Sequence, residues 1–138
     1  MSRFATIEVD EFLPYPAERV WAALTRRDLI AAWMVPNDFE LRVGHRFSLD
    51  MQNWGVTSCE VLAFEPGVML QYSWRNGPLD TVVTWRLVEE GTGTRLLLEH
   101  RGFDLDHPVG RFAYENMRGG WRSHVFAALD ATLQRVRA

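Results

Sequence analysis

The sequence predicts an α+β fold in which one antiparallel β-sheet is covered on one side by a long C-terminal helix. In the middle of the chain, turn residues separate alternating stretches at intervals of about ten residues, as in an antiparallel meander. Each stretch has one apolar face, which is typical of a sheet with one covered side and one solvated side. The last segment repeats apolar residues every three or four positions, which indicates an amphipathic helix.

The length of the chain bounds its organisation. The 138 residues, of which 47% are hydrophobic, suit one domain with a sizeable core. No repeat, low-complexity tract or long linker interrupts the pattern, so we expect a single domain over residues 1–138.

A strand and two short helices are predicted at the start. Ile7 and Val9 fall on one face of the segment Phe4 to Leu13, which mixes β-branched and aromatic residues and ends before Pro14. The apolar spacing then changes to three and four residues, which indicates two short helices. The residues with this spacing are Val20, Trp21 and Leu24 in the first helix and Leu29, Ile30 and Trp33 in the second. Pro36 ends the second helix.

About five further strands are predicted between Phe47 and His100. The turns between them are marked by Asn53 with Gly55, by Glu65-Pro66-Gly67, by Asn76-Gly77-Pro78 and by Glu90 to Gly93. The side chains that alternate onto one face are Phe47, Leu49, Met51, Leu70, Tyr72, Trp74, Val83, Trp85, Leu87, Leu96, Leu98 and His100.

A long amphipathic helix is predicted for the last segment. Its apolar stripe consists of Met117, Trp121, Val125, Leu129, Leu133 and Val136. Gly119 and Gly120 would fall in the first turns of this helix, where glycine lowers helix propensity. We therefore expect the two glycines to permit a bend or a close approach of the helix to the sheet.

The inward face of the predicted sheet collects a large aromatic lining. It comprises Met51, Tyr72, Trp74, Trp85, Leu98 and His100, with Trp121 facing it from the helix. These are the candidate ligand-binding residues, since small-molecule sites are concave and mostly apolar. The same periodicity also describes a packed core, although buried tryptophans then need a partner for the indole N–H.

Framework residues along most of the chain resemble those of one superfamily. The matching segments are Pro16 to Thr25, Leu29 to Trp33 with Pro36, Val43-Gly44 before Phe47, Val61 to Pro66, Gly93 to Leu96, His100, Gly102-Phe103 and Gly120-Trp121. On these segments the chain resembles the START/SRPBCC superfamily, in particular its branch similar to the C-terminal domain of the activator of the ninety-kilodalton heat-shock chaperone's ATPase. The resemblance implies a helix-grip fold, in which a curved antiparallel sheet wraps around the C-terminal helix. It also implies two short helices after the first strand and an apolar cavity between sheet and helix.

His100 is the candidate for acid–base chemistry, because an imidazole exchanges protons near neutral pH. The alternative is a buried histidine whose ring is hydrogen-bonded within the core. The sequence contains no Gly-x-Ser-x-Gly elbow and no spaced pair of cysteine and histidine. Nucleophilic catalysis is therefore not indicated.

Acids and histidines also cluster near the end of the last predicted strand. The cluster consists of Glu99, His100, Asp104, Asp106 and His107. Carboxylate and imidazole suit zinc or a related metal. However, Glu99 and His100 face opposite sides of a strand, and the other members fall in a predicted loop. We expect neither a metal nor another cofactor.

Composition and charge exclude several classes of protein. The 15 basic and 18 acidic residues give a net charge of -3, which does not suggest a nucleic-acid partner. Every basic residue is arginine, and the absence of lysine excludes Schiff-base catalysis and a P-loop. The single cysteine, Cys59, forms no internal disulfide, and no apolar run reaches the roughly 18 residues of a membrane span. Since the chain opens with no signal region, we expect a cytoplasmic protein.

The sequence supports three hypotheses about function. The first is the binding of a small apolar or aromatic molecule between sheet and helix, for which no catalysis is required. The resemblance implies two others, an enzyme of the polyketide cyclase or aromatase type that uses His100 and Tyr72 to move protons, and a partner that stimulates a chaperone's ATPase. The exposed edges of the predicted sheet also make a symmetric homodimer a hypothesis.

Overall fold

Six strands form one antiparallel sheet in the computed structural model, which describes residues 3–52 and 55–135. The strands are β1 (Phe4–Leu13), β2 (Arg46–Asp50), β3 (Val56–Glu65), β4 (Met69–Asn76), β5 (Leu79–Glu90) and β6 (Gly93–Asp104). Their order across the sheet is β1-β6-β5-β4-β3-β2. The chain therefore crosses from one edge to the other after β1 and then returns strand by strand until β6 pairs with β1.

The turns between the strands lie where the sequence predicts them. Gly67 between β3 and β4 and Gly77 between β4 and β5 have φ angles of 75° and 59°. These left-handed conformations explain the glycines, because a Cβ atom is unfavourable there. Asn53, which the sequence places in the turn before β3, lies outside the described residues.

The two faces of the sheet differ as the alternating pattern predicts. The inner face is apolar and buried, with Ile7 of β1 and Trp85 of β5 among its members. The outer face carries ion pairs between strands. Arg95 of β6 donates to Asp10 of β1 and to Glu90 of β5, each over 2.8 Å. The sheet is thus covered on one side only.

Two short helices connect β1 to β2, in agreement with the prediction. They are α1 (Ala17–Thr25) and α2 (Arg27–Trp33), and α2 ends before Pro36. The indole N–H of Trp33 donates to the carbonyl of Ala23 over 2.7 Å, which ties the end of α2 to α1. This bond satisfies the polar atom of a buried tryptophan.

The C-terminal helix begins earlier than the sequence pattern suggests. It consists of α3 (Pro108–Gly120), a π-helical turn (Trp121–Val125) and α4 (Phe126–Arg135), in total 28 residues. His107 caps its start, since its Nδ1 accepts from the backbone N–H of Val109 over 3.1 Å. Pro108 stands in the first turn, where its missing N–H costs nothing. Val136, the last member of the predicted stripe, lies outside the described residues.

The close approach expected at Gly119 and Gly120 occurs instead at Gly110. A Cβ atom added to Gly110 would collide with the backbone carbonyl of Asp104, at the end of β6. A Cβ atom added to Gly119 or Gly120 would meet nothing within 4 Å. The expectation of a close approach at these two glycines was wrong because the helix already begins at Pro108, so its close contact with the end of β6 lies ten residues before Gly120.

The sheet and the C-terminal helix together form the predicted α+β helix-grip fold. The sheet is curved, and the helix packs against its concave inner face. None of the helices in the described part of the chain is both long and apolar enough to cross a bilayer.

Candidate ligand-binding cavity

A cavity of about 720 Å³ lies between one end of the sheet, the end of α2 and the C-terminal helix. The sheet side contributes Met51, Thr57, Trp74, Asn76 and Leu79, and the end of α2 contributes Trp33, Met34 and Val35. The C-terminal helix contributes Val109, Phe112, Ala113, Asn116, Met117, Gly120, Trp121, His124, Val125 and Ala128. This volume falls within the range of about 300–1,000 Å³ that small-molecule sites occupy.

Tryptophan rings form the inner wall of the cavity. Trp74 of β4 and Trp121 of the π-helical turn meet edge to face, with their ring centroids 5.8 Å apart. Trp33 joins them from the end of α2. These flat, polarisable surfaces suit the rings or chains of an apolar molecule.

The opposite side of the cavity opens to solvent. Val109 and Phe112, both on α3, line the cavity and expose 40% and 53% of their surface. Exposed large apolar side chains beside a concave surface are typical of the entrance to a binding site. The cavity is therefore open to solvent beside α3.

The lining is almost free of charge. Among the described lining residues, His124 is the one that can become charged, and it is exposed. The other polar members are Thr57, Asn76 and Asn116, which are neutral. The described part of the lining therefore offers hydrogen-bonding groups but no buried counter-ion.

The predicted site residues fall into two groups. Met51, Trp74 and Trp121 line the cavity. Tyr72, Trp85, Leu98 and His100 share the inner face of the sheet with them but lie in the packed core behind the lining. Alternation along a strand shows on which face of the sheet a side chain lies. It does not show whether the side chain reaches the cavity or is packed behind the lining, so it could not separate these groups. Ligand contact by any of these residues stays a prediction.

Trp85 lies at the centre of the packed group. Its indole N–H donates to the hydroxyl of Tyr72 over 3.0 Å. Its ring meets Trp33 and Trp121 edge to face, at centroid distances of 5.9 Å and 5.6 Å. Burial raises the pKa of the Tyr72 hydroxyl above its ordinary value, so this group stays neutral.

His100 belongs to a hydrogen-bond chain that joins the C-terminal helix to the sheet. The indole N–H of Trp121 donates to Nδ1 of His100 over 3.0 Å, so the ring proton resides on Nε2. Nε2 lies 2.7 Å from the hydroxyl of Thr81, which in turn donates to the carbonyl of Trp74 over 2.8 Å. Both ring nitrogens are thus used within the protein.

The protonation state of His100 follows from its burial. Desolvation lowers the pKa of His100 from 6.5 to about 3. The imidazole is therefore neutral at physiological pH. It does not line the cavity, and it has no free nitrogen to exchange a proton with a ligand there.

The acids and histidines in β6 and in the turn that follows it make structural contacts. Asp106 accepts from the backbone N–H of Arg3 over 2.8 Å, and His107 caps the helix. Glu99 pairs with Arg101 on the outer face, 3.5 Å away. Within residues 3–52 and 55–135, no three groups of the kind that bind metals lie close enough to share an ion.

Most of the cavity wall that α3 provides was not predicted from the sequence. The pair His107-Pro108 is a recognisable helix start and could have indicated that the helix covers Val109 and Phe112. Thr57 was also missed, although it alternates with buried Cys59 and Val61 along β3. The signal that could have indicated Thr57 is a hydroxyl residue at an inward position of a strand whose other inward residues are apolar.

The fold and the cavity define a helix-grip protein with a mostly apolar site that is open to solvent on one side. The chain belongs to the family described as Activator of Hsp90 ATPase homolog 1-like protein, whose model matches residues 14–134. This assignment agrees with the resemblance that the framework residues show. A search of curated proteins found no match.

Solved structures share the fold and part of the sequence. Protein MLL2253 from Mesorhizobium loti is 39% identical with a TM-score of 0.87, and the match covers 97% of this chain and 100% of that one. BH1534 from Bacillus halodurans is 28% identical with a TM-score of 0.84, covering 96% and 99%. CalU16 from Micromonospora echinospora is 25% identical with a TM-score of 0.76, covering 98% and 87%.

Proposed function

We propose that this protein binds a small, mainly apolar molecule in the cavity between the sheet and the C-terminal helix. The observation that supports the proposal is the cavity of about 720 Å³ with its wall of Trp33, Trp74 and Trp121. A concave space of this size with a mostly apolar lining and few polar groups has the character of a small-molecule site. Membership of the family is consistent with ligand binding.

The two other hypotheses have less support. An acid–base enzyme would need His100 to reach a bound molecule, and His100 is neutral, fully hydrogen-bonded and outside the lining. Stimulation of a chaperone's ATPase is suggested by the name of the family alone, and it stays a hypothesis. Ligand binding is therefore the function to test first.

The test uses delipidated protein and N-phenyl-1-naphthylamine, a neutral apolar dye. The dye should quench tryptophan emission, because Trp74 and Trp121 line the cavity. It should also raise the unfolding midpoint, since a molecule that binds only the folded state stabilises that state by mass action.

Two neighbouring glycines supply a matched pair of variants. Gly120 lines the cavity and has open space around its Cβ position, so we expect Gly120→Leu to fill the site and weaken dye binding at least tenfold. Gly119 has the same open surroundings but is exposed and outside the lining, so Gly119→Leu should bind as the parent does. Both changes raise helix propensity by about 1 kcal/mol, so a difference between them reports on the cavity. Equal affinity in both variants, or no binding to the parent, would contradict the proposal.

A further inference from the structure

In the described lining of the cavity, the buried hydroxyl of Thr57 lacks a hydrogen-bond partner. Thr57 lies on β3, opposite Leu49 of β2, and is only 1% exposed. It lines the cavity, and its side chain makes no hydrogen bond with any residue that the structure describes. Buried hydroxyls normally have a partner, because leaving one unpaired is unfavourable.

The hydroxyl of Thr57 faces the open space of the cavity. In the described part of the chain, Nε of Arg19 is the one fully enclosed side-chain nitrogen or oxygen that lacks a hydrogen bond. The Thr57 hydroxyl also lacks one but is not fully enclosed, so it must border accessible volume. The volume that borders it is the cavity.

A second polar side chain stands beside Thr57. Ser58 of β3 pairs with Arg75 of β4. Extending this antiparallel register by one residue brings Thr57 opposite Asn76, which also lines the cavity. The polar part of the lining on the sheet is therefore concentrated at one place, while Trp33, Trp74 and Trp121 form the wall around it.

The charge of the lining restricts the ligand further. Placing a carboxylate or ammonium group against Thr57 would remove it from water without a counter-ion, which is strongly unfavourable. The described lining offers no Arg, Asp or Glu, and its histidine, His124, is on the exposed side. A neutral group that donates or accepts a hydrogen bond meets no such penalty.

We propose, as an inference that rests on the proposed function, that the ligand is a neutral molecule. It has an apolar, ring-containing body and one hydrogen-bonding group at its inner end. That group, a hydroxyl or a carbonyl, would bond to the Thr57 hydroxyl. The body would lie against the tryptophan wall, and the outer end would point past α3 to solvent.

The test compares three probes of one shape, naphthalene, 2-naphthol and 2-naphthoate, in the parent and in Thr57→Val. Valine keeps the shape of threonine and removes only the hydroxyl. The ratio of the affinity for 2-naphthol to that for naphthalene should fall by about five- to tenfold in the variant, as expected for one hydrogen bond. The affinity for naphthalene itself should not fall. In the parent, 2-naphthoate should bind at least tenfold more weakly than 2-naphthol.

Thr132→Val is the control for this change. Thr132 is equally buried, but it lies on α4 outside the cavity, and its hydroxyl donates to the carbonyl of Ala128 over 3.0 Å. It should leave the ratio of affinities unchanged. Without any probe, Thr57→Val should unfold at a midpoint no lower than the parent's, since it removes an unpartnered hydroxyl.

The possible failures are distinguishable. If neither naphthalene nor 2-naphthol binds the parent, the proposed function itself is wrong. If both bind and Thr57→Val leaves their ratio unchanged, only the inference about Thr57 is overturned. A clearly lower midpoint for Thr57→Val would also overturn it, because the hydroxyl would then have a partner within the protein. Equal binding of 2-naphthoate would overturn the requirement for a neutral ligand.

Discussion

His100 illustrates how a residue associated with catalysis can serve the structure instead. Its ring accepts from Trp121 and donates to Thr81, whose own hydroxyl continues to the carbonyl of Trp74. Every polar atom along this chain has its partner, which is what makes a buried polar network stabilising rather than costly. The chain connects the middle of the C-terminal helix to β4 through β5 and β6.

The pH dependence of stability should reveal this role of His100. Its folded pKa of about 3 lies below the ordinary value of 6.5, so the unfolded chain binds more protons between these limits. The stability that the neutral ring contributes is therefore present above about pH 6.5 and is lost as the pH falls toward 3. Its loss approaches about 1.4 kcal/mol per pH unit in that window.

Replacement of His100 by glutamine checks this prediction. Glutamine keeps a donor for Thr81 but cannot gain a proton. We expect His100→Gln to be less stable than the parent at pH 7, but with a shallower decline of the unfolding free energy between pH 6 and 4, as measured in urea. An equally steep decline in the variant would show that His100 is not the titrating group.

At the scale of the elements, the π-helical turn explains the unusual spacing of the helix stripe. The residues of the stripe from Met117 to Leu133 are four positions apart. In a regular α-helix of about 3.6 residues per turn, each such step shifts the stripe by about 40° around the helix axis. In the π-helical turn, the backbone N–H of Phe126 donates to the carbonyl of Trp121, five residues back. This wider turn counteracts the drift, so that Trp121 and Leu129 both stay buried.

Replacing two glycines of the C-terminal helix by alanine should change the stability of the protein in opposite directions. Helix propensity favours alanine over glycine by about 1 kcal/mol, so Gly119→Ala should stabilise the protein by up to that amount. At Gly110 the new methyl group would overlap the carbonyl of Asp104, so we expect Gly110→Ala to destabilise it by about 1–3 kcal/mol. Chemical denaturation of the two variants measures both effects. A stabilised Gly110→Ala protein would mean that the helix does not press on the end of β6.

At the scale of the whole molecule, Trp85 is the point where the separate elements meet. It lies on β5, inside the sheet, and its ring contacts Trp33 of α2, Trp121 of the π-helical turn and Phe126 of α4. The sheet, the short helices and the C-terminal helix therefore share one aromatic cluster. Its packing, rather than the cavity beside it, holds the layers together.

Shortening Trp85 should consequently affect stability more than binding. We expect Trp85→Leu to lower the unfolding free energy by about 3 kcal/mol, because it leaves a void and removes the donor to Tyr72. Its affinity for an apolar dye should stay within about threefold of the parent's. Trp21→Leu, at a half-buried position on α1, is the control and should cost less than half as much. Similar losses in both variants would contradict the central role of Trp85.

Local patterns in the sequence predict the fold well where one face of an element is uniformly buried. The alternation of Ile7 and Val9 predicts β1 with the bounds it has, and the glycines predict the turns at Gly67 and Gly77. The start of the C-terminal helix was placed too late because Val109 and Phe112 lie at a cavity entrance. Such partly exposed apolar residues do not form the regular stripe of a helix packed on a core.

The site was less predictable than the fold, because depth depends on tertiary packing. Trp74 and Trp85 belong to one aromatic inner face by alternation, yet only Trp74 reaches the cavity. The wall also includes Val35, which follows α2 and has no periodic signal. Position along a strand determines the side on which a residue lies, while neighbouring elements determine whether space remains in front of it.

The division between the packed aromatic cluster and the cavity lining has a consequence for the divergence of such proteins. Most residues that connect the layers, including His100, Thr81 and Trp85, do not line the cavity. Selection can therefore alter Val35, Met51 or Met117 and so reshape the cavity without breaking the hydrogen-bond chain. Two of these positions are methionines, whose flexible side chains tolerate replacement well. Descendants of one ancestral gene can thus acquire new ligands while each inherits the same folded framework.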